Sequence, residues 1–114
     1  MESSELIDLL ERNGLSRIDA RALSVFIDGR QRATIDIERE ACLRQPEVSV
    51  AMSYLMGRGW FRQELIRKET GKGRPSIIYH LAKAFSEICN EIARERGTAI
   101  ATMMNDLNAL RAVA

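Results

Sequence analysis

Lys72 and Arg74 lie in the stretch GKGRPSIIYH, Gly71 to His80, inside a frame of two glycines and a proline that is followed at once by β-branched and aromatic residues. Cations on a backbone freed by glycine are placed for anion contacts, and the anion that repeats along a polymer is phosphate. The net charge of the chain is +1, which by itself argues against a nucleic-acid partner. Its distribution argues the other way. Arg58 to Arg74 holds six Lys or Arg against two Glu, whereas Thr34 to Gly57 holds two Arg against four acidic residues.

Bond-making chemistry has little to build on. Cys42 and Cys89 are far apart and neither has a second Cys or a His close by, a spacing of free thiols and not of a disulfide framework or a zinc site. His80 has no carboxylate or thiol cluster around it to make a ligand set or a catalytic pair, and is expected on the surface or at the root of a hairpin. TGKG lacks the upstream glycine and the Lys-Ser/Thr ending of a phosphate-binding P-loop. With no paired carboxylates and no nucleophile beside a base, the sequence points away from an enzyme and implies neither cofactor nor metal.

The elements that must position the basic stretch are legible from periodicity. A chain of 114 residues is one domain in size, and 46% apolar with 29% charged residues is a globular balance, so the chain should fold. No apolar run approaches the roughly 18 residues of a membrane span, and the opening Met1-Glu2-Ser3-Ser4-Glu5 is acidic, which together predict a cytoplasmic protein with no membrane partner. SSELIDLLERNG predicts a short helix with Ser3 or Ser4 as its N-cap and Gly14 as its stop. LSRIDARALSVFIDG predicts a second, with Ser16 and Asp19 as a capping box, Ile18, Ala22, Leu23, Phe26 and Ile27 as its apolar stripe and Gly29 at its end.

ATID is a short strand able to pair with a hairpin elsewhere, and Asp36 is placed to cap a brief helix, IEREAC. In RQPEVSVAMSYLMGRG, Pro46 takes the first helical position and Gly57 and Gly59 close the helix. Val48, Ala51, Met52 and Leu55 share one face there, which turns Glu47, Ser49, Val50 and Ser53 away from the core. WFRQELIRKE and SIIYHL are strands joined by a hairpin loop, TGKGRP, and Trp60 and Phe61 are expected in the core. From Ala82 the pattern is helical again, with Phe85, Ile88, Cys89 and Ile92 on one face and, past Gly97, Ile100, Met103, Met104, Leu107 and Leu110. Glycine costs about 1 kcal/mol in a helix interior, so the chain either bends at Gly97 or uses two helices.

A mainly α chain with a small β-hairpin, in this order, has the layout of a winged helix-turn-helix followed by a C-terminal helix or helices. LRQPEVSVAMSYLMGRGWF followed by GKGRPSIIYHL resembles the small archaeal winged helix-turn-helix transcriptional regulators related to the MarR and TrmB groups, over about Leu15 to Leu81. The resemblance implies a homodimer that binds double-stranded DNA in a sequence-specific way. Residues 1–81 would be the DNA-binding domain and 82–114 the dimerisation segment, with the helix over about 46–57 in the major groove and the wing, 70–76, at the minor groove.

Side-chain chemistry assigns the roles within that frame. Gln45 suits an adenine edge, Ser49 and Ser53 suit phosphate or bases, and Val50 suits a thymine methyl, with Arg44 beside them at the helix start. Glu47 opposes phosphate and is better suited to steadying the helix dipole than to reading cytosine. KGRP resembles the core of an AT-hook, which makes Arg74 the minor-groove residue and gives Lys72, Lys68, Arg67 and Arg62 to phosphate, as far as strand alternation allows. Phe85, Ile88, Ile92, Ile100, Met103, Met104, Leu107 and Leu110 form the expected dimer seam. The sequence does not disclose whether there is an effector ligand.

One position departs from the pattern. The turn of a helix-turn-helix often has Gly where this chain has Cys42, so either Cys42 carries backbone strain at positive φ or the turn is differently shaped. A small buried apolar residue is the expectation for its side chain, ahead of a redox-sensing thiol. The alternative function is a winged-helix protein–protein interaction module without specific DNA binding, in which Glu38, Glu40 and Glu47 face outward without opposing DNA.

Overall fold

The computed structural model describes residues 2–66 and 76–113. Its order is α1 (Ser3–Arg12), α2 (Arg17–Ser24) running into a 3-10 turn (Val25–Asp28), β1 (Arg32–Ala33), α3 (Thr34–Ala41), α4 (Gln45–Gly57), β2 (Phe61–Ile66), β3 (Ser76–Leu81) and α5 (Phe85–Val113). The strands form an antiparallel sheet in the order β1-β3-β2, so the two-residue β1 does pair with the hairpin, Arg32 opposite Tyr79 and Ala33 opposite Ile78. Opposed residues share a sheet face. Buried Phe61 and Tyr79 mark the core face, which leaves Arg62 and its partner His80 on the outer one.

The core is one cluster to which every helix contributes. Leu23, Phe26, Ile37, Val48, Met52, Leu55, Trp60 and Ile88 are its largest fully buried side chains, and each contributes about 1.5–3 kcal/mol by leaving water. The Phe26 and Phe61 rings meet edge to face with centroids 4.7 Å apart, tying the end of α2 to the sheet. Ser16 caps α2 as expected, its hydroxyl accepting from the Asp19 N–H at 3.2 Å. Two starts differ from expectation. The α1 N-cap is Glu2, whose carbonyl closes the first turn through the Leu6 N–H, so Ser3 and Ser4 are already helical. In α3, Asp36 lies inside the first turn, where its carboxylate accepts from the Ala33 N–H at 3.2 Å, so the helix begins at Thr34.

Three helices end in the same way. Leu15, Leu43 and Trp60 each donate their N–H to the carbonyl five residues earlier, Leu10, Glu38 and Leu55, around an intervening residue with positive φ. After α1 and α4 that residue is Gly14 or Gly59, for which the conformation has no steric cost; after α3 it is Cys42, at φ 54° and ψ 48°. The strain anticipated at Cys42 is therefore present, and the turn has the ordinary shape. The burial anticipated for it is not: with the left-handed backbone Cys42 is exposed, and its thiol donates to the Arg39 carbonyl at 3.8 Å. Cys42→Gly should raise stability by about 1 kcal/mol in urea unfolding, and Cys42→Ala, which keeps its Cβ, should not.

Arg32 staples β1 to both flanking elements. Its guanidinium donates to the two Asp28 oxygens at 2.8 and 2.7 Å and to Glu40 at 2.6 Å, and lies 5.5 Å from the centroid of Phe26. These hydrogen bonds from Arg32, followed by one from the Arg30 N–H, hold the Asp28 carboxyl well below the usual carboxylate range. A carboxylate with a depressed folded pKa contributes fully above its unfolded value, here near 3.8, and loses that contribution as the pH falls towards the folded value. Wild-type stability should thus drop below about pH 4 more steeply than that of Asp28→Asn, followed by circular dichroism at fixed urea.

The C-terminal segment is a single helix. The cost of Gly97 is a weak preference spread over the 29 residues of α5, and neither a break nor a second helix follows it. Ile88 and Ile92 are buried in the core of this chain and Phe85 packs against it, so these three belong to the fold and not to an exposed seam. Ile100, Met103, Met104, Leu107 and Leu110 are exposed. No helix among the described residues is long and apolar enough to cross a membrane.

Candidate nucleic-acid interface

The helix α4 divides by its own periodicity into a sealed face and an open one. Val48, Ala51, Met52 and Leu55 are wholly buried, which leaves Gln45, Ser49, Val50 and Ser53 exposed along the opposite side. Its N-terminus is capped from within: the Arg44 N–H donates to Glu47 Oε1 at 2.9 Å, and Pro46 has no N–H to satisfy. Glu47 thus has the steadying role expected of it. The Arg44 side chain makes no cap bond and is exposed beside Gln45.

Gln45 borders a surface groove of about 410 Å³ that also takes in Thr34, Ile35 and Glu38 of α3 and Ser76 and Ile77 of β3. The start of α4 and the loop end of β3 therefore form one continuous surface, although they are far apart in sequence. Arg62 stands on the outer face of the sheet. Arg67, Lys68, Lys72 and Arg74 lie outside the described residues. Of the three acids expected to face outward, Glu40 pairs with Arg32 and Glu47 holds the Arg44 N–H, leaving Glu38 in the groove.

The far end of α4 is tied to α5. Arg58 Nη2 meets Glu95 at 2.5 Å and Nη1 lies 3.4 Å from the Tyr54 hydroxyl, while the guanidinium sits 4.3 Å from the centroid of Trp60. The buried Trp60 indole N–H donates to Glu91 at 2.7 Å, and Lys83 reaches the same carboxylate oxygen at 3.4 Å. That indole bond, followed by Lys83, lowers the Glu91 pKa, and the Glu95 bond raises that of Arg58.

No protein-family model matches the chain, and no curated protein is similar to it. Solved structures are. A possible transcriptional regulator from Methanosarcina mazei superposes with a TM-score of 0.69 at 15% identity, over 89% of this chain and 84% of that one. A MarR-family transcriptional regulator from Silicibacter pomeroyi superposes with a TM-score of 0.57 at 20% identity, over 92% and 79%. Streptococcus pneumoniae FabT, solved in complex with DNA, gives 0.51 at 15% identity, over 81% and 62%. The fold is a winged helix-turn-helix.

In winged-helix terms α3 and α4 are the helix-turn-helix, with Cys42 in its turn, and β2 and β3 are the strands of the wing. Two residues on these elements escaped the sequence reading. Tyr54 is 42% exposed on the open face of α4, beside Val50 at 69%, and stepping four residues on from Val50 would have found it. Arg58 gave no such signal, because its partner Glu95 is 37 residues away.

Proposed function

We propose that this chain is a sequence-specific regulator of transcription that binds double-stranded DNA as a homodimer and catalyses no reaction. The observation that carries this reading is the open face of α4: small and amide side chains at Gln45, Ser49, Val50 and Ser53, exposed on a helix whose other side is locked into the core. An α-helix fits the major groove, and such a face permits close approach to base edges. The exposed Arg44 side chain and the basic residues of the wing then meet phosphate, with Arg74 directed to the minor groove.

In this reading residues 1–81 read DNA and residues 82–114 join two copies, the base of α5 being shared with the reading unit. The similarity to regulators of the MarR family supports it, the Methanosarcina structure supports its archaeal cast, and a cytoplasmic location follows from the role. The exposed run Ile100, Met103, Met104, Leu107 and Leu110 is the proposed seam. Met103→Glu with Leu107→Glu should give a folded monomer by light scattering at concentrations where the wild type is dimeric.

The test of function is selection from a random duplex pool, followed by fluorescence anisotropy of the enriched duplex against a shuffled one across a salt titration. A strong preference that weakens steeply with salt is the expected result. Equal weak binding to both duplexes refutes the regulator reading and favours the protein-docking module.

A further inference from the structure

We propose that Arg58, Trp60, Glu91 and Glu95 form a positioning joint that fixes the angle between α4 and α5, and so sets the half-site separation a dimer accepts, an inference that rests on the DNA-binding reading above. Glu91 and Glu95 are four residues apart and therefore share one face of α5. Arg58 and Trp60 immediately follow α4 and grip that face at two points one turn apart, which restrains both sliding and rotation of one helix on the other.

The two grips brace each other, because the Arg58 guanidinium stacks on the Trp60 ring. Trp60 is fully buried, so its indole cannot swing away without leaving its donor unpaired in the core. Through the Tyr54 hydroxyl, Arg58 also touches the open face of α4 itself. An ion pair as exposed as Arg58–Glu95, whose Glu95 side chain is half in solvent, adds little to folding, so stability does not account for that pair.

Geometry makes the angle consequential. The 18 residues of α5 beyond Glu95 span about 27 Å, so a tilt of about 10° at the joint displaces the far end of the helix by about 5 Å. That exceeds the rise of one base pair, enough to move one reading helix off its half-site when the other is seated.

The experiment compares wild type with the double variant Glu91→Ala, Glu95→Ala, which removes both acceptors, on three sets of duplexes: the site enriched from a random pool by the wild type, the same site with its central spacer changed by one to three base pairs, and a single half-site. Far-ultraviolet circular dichroism with a thermal melt reports whether the variant remains folded, because Trp60 emission responds directly to the loss of Glu91. The expected result is that wild type loses about tenfold or more in affinity on altered spacers. The double variant should bind the single half-site like wild type yet discriminate among spacers several-fold less, with Arg58→Lys, which keeps the charge and loses the stack, in between. The proposal is overturned by a variant that keeps the wild-type spacing preference, by one that loses single-half-site affinity as much as paired-site affinity, or by a wild type indifferent to spacing. If the wild type enriches no duplex at all, the DNA-binding reading itself fails and the joint falls with it, an outcome distinct from the other three.

Discussion

Ser49→Glu combined with Ser53→Glu is expected to weaken binding to the selected duplex by about 100-fold, roughly tenfold for each carboxylate brought against phosphate. The two serines are exposed, four residues apart, on the open face of α4, so both new charges point the same way. Glutamate is a better helix former than serine and neither serine side chain is buried, so the melting temperature should stay near that of the wild type. Anisotropy at about 0.1 M salt, with a thermal melt of the same sample, separates lost contact from lost fold. Unchanged affinity in a folded variant would remove α4 from the interface.

Trp60→Ala should cost about 4 kcal/mol, a large part of the stability of a domain this size. The side chain is fully buried, follows the end of α4 where its N–H closes on Leu55, and carries the bond to Glu91 and the stack under Arg58. Its backbone carbonyl also accepts from the Ala82 N–H at 2.8 Å, just past β3. Truncation therefore opens a cavity where α4, β2 and α5 meet and strands their polar partners. Urea unfolding should show a lower midpoint with an unchanged slope, and Trp60→Phe, which restores most of the volume but no donor, should recover more than half of the loss. A cost under about 1 kcal/mol would contradict this account of the core.

How far the sequence could be read depended on whether the deciding contact was local. The buried face of α4 and the Ser16 cap are set within a few residues, and each is legible; at Cys42 the sequence leaves two alternatives, strain at positive φ or a differently shaped turn, and the structure has the first. The burial of Cys42 was misjudged because composition ranks cysteine as an interior residue, whereas the left-handed backbone decides where its Cβ points. Phe85, Ile88 and Ile92 were given to the dimer seam because periodicity reveals that a face is apolar and not what covers it. Gly97 suggested a break because a propensity was weighed without the helix around it. The Arg58–Glu95 and Trp60–Glu91 links span 37 and 31 residues and leave no local pattern at all.

The unequal burial along α5 has a kinetic consequence. Its base is sealed by Ile88 and Ile92, while every residue from Ala93 to Val113 is exposed. Amides at the base exchange with solvent only when the whole fold opens, and that rate has no dependence on protein concentration. A helix of the length left beyond the core is marginal in water by itself, so its amides exchange through fraying, and in the proposed dimer more slowly the more often another copy covers them. With that pairing, one uninterrupted helix keeps two clocks, a unimolecular one at its base and one at its far end that the protein's own abundance sets.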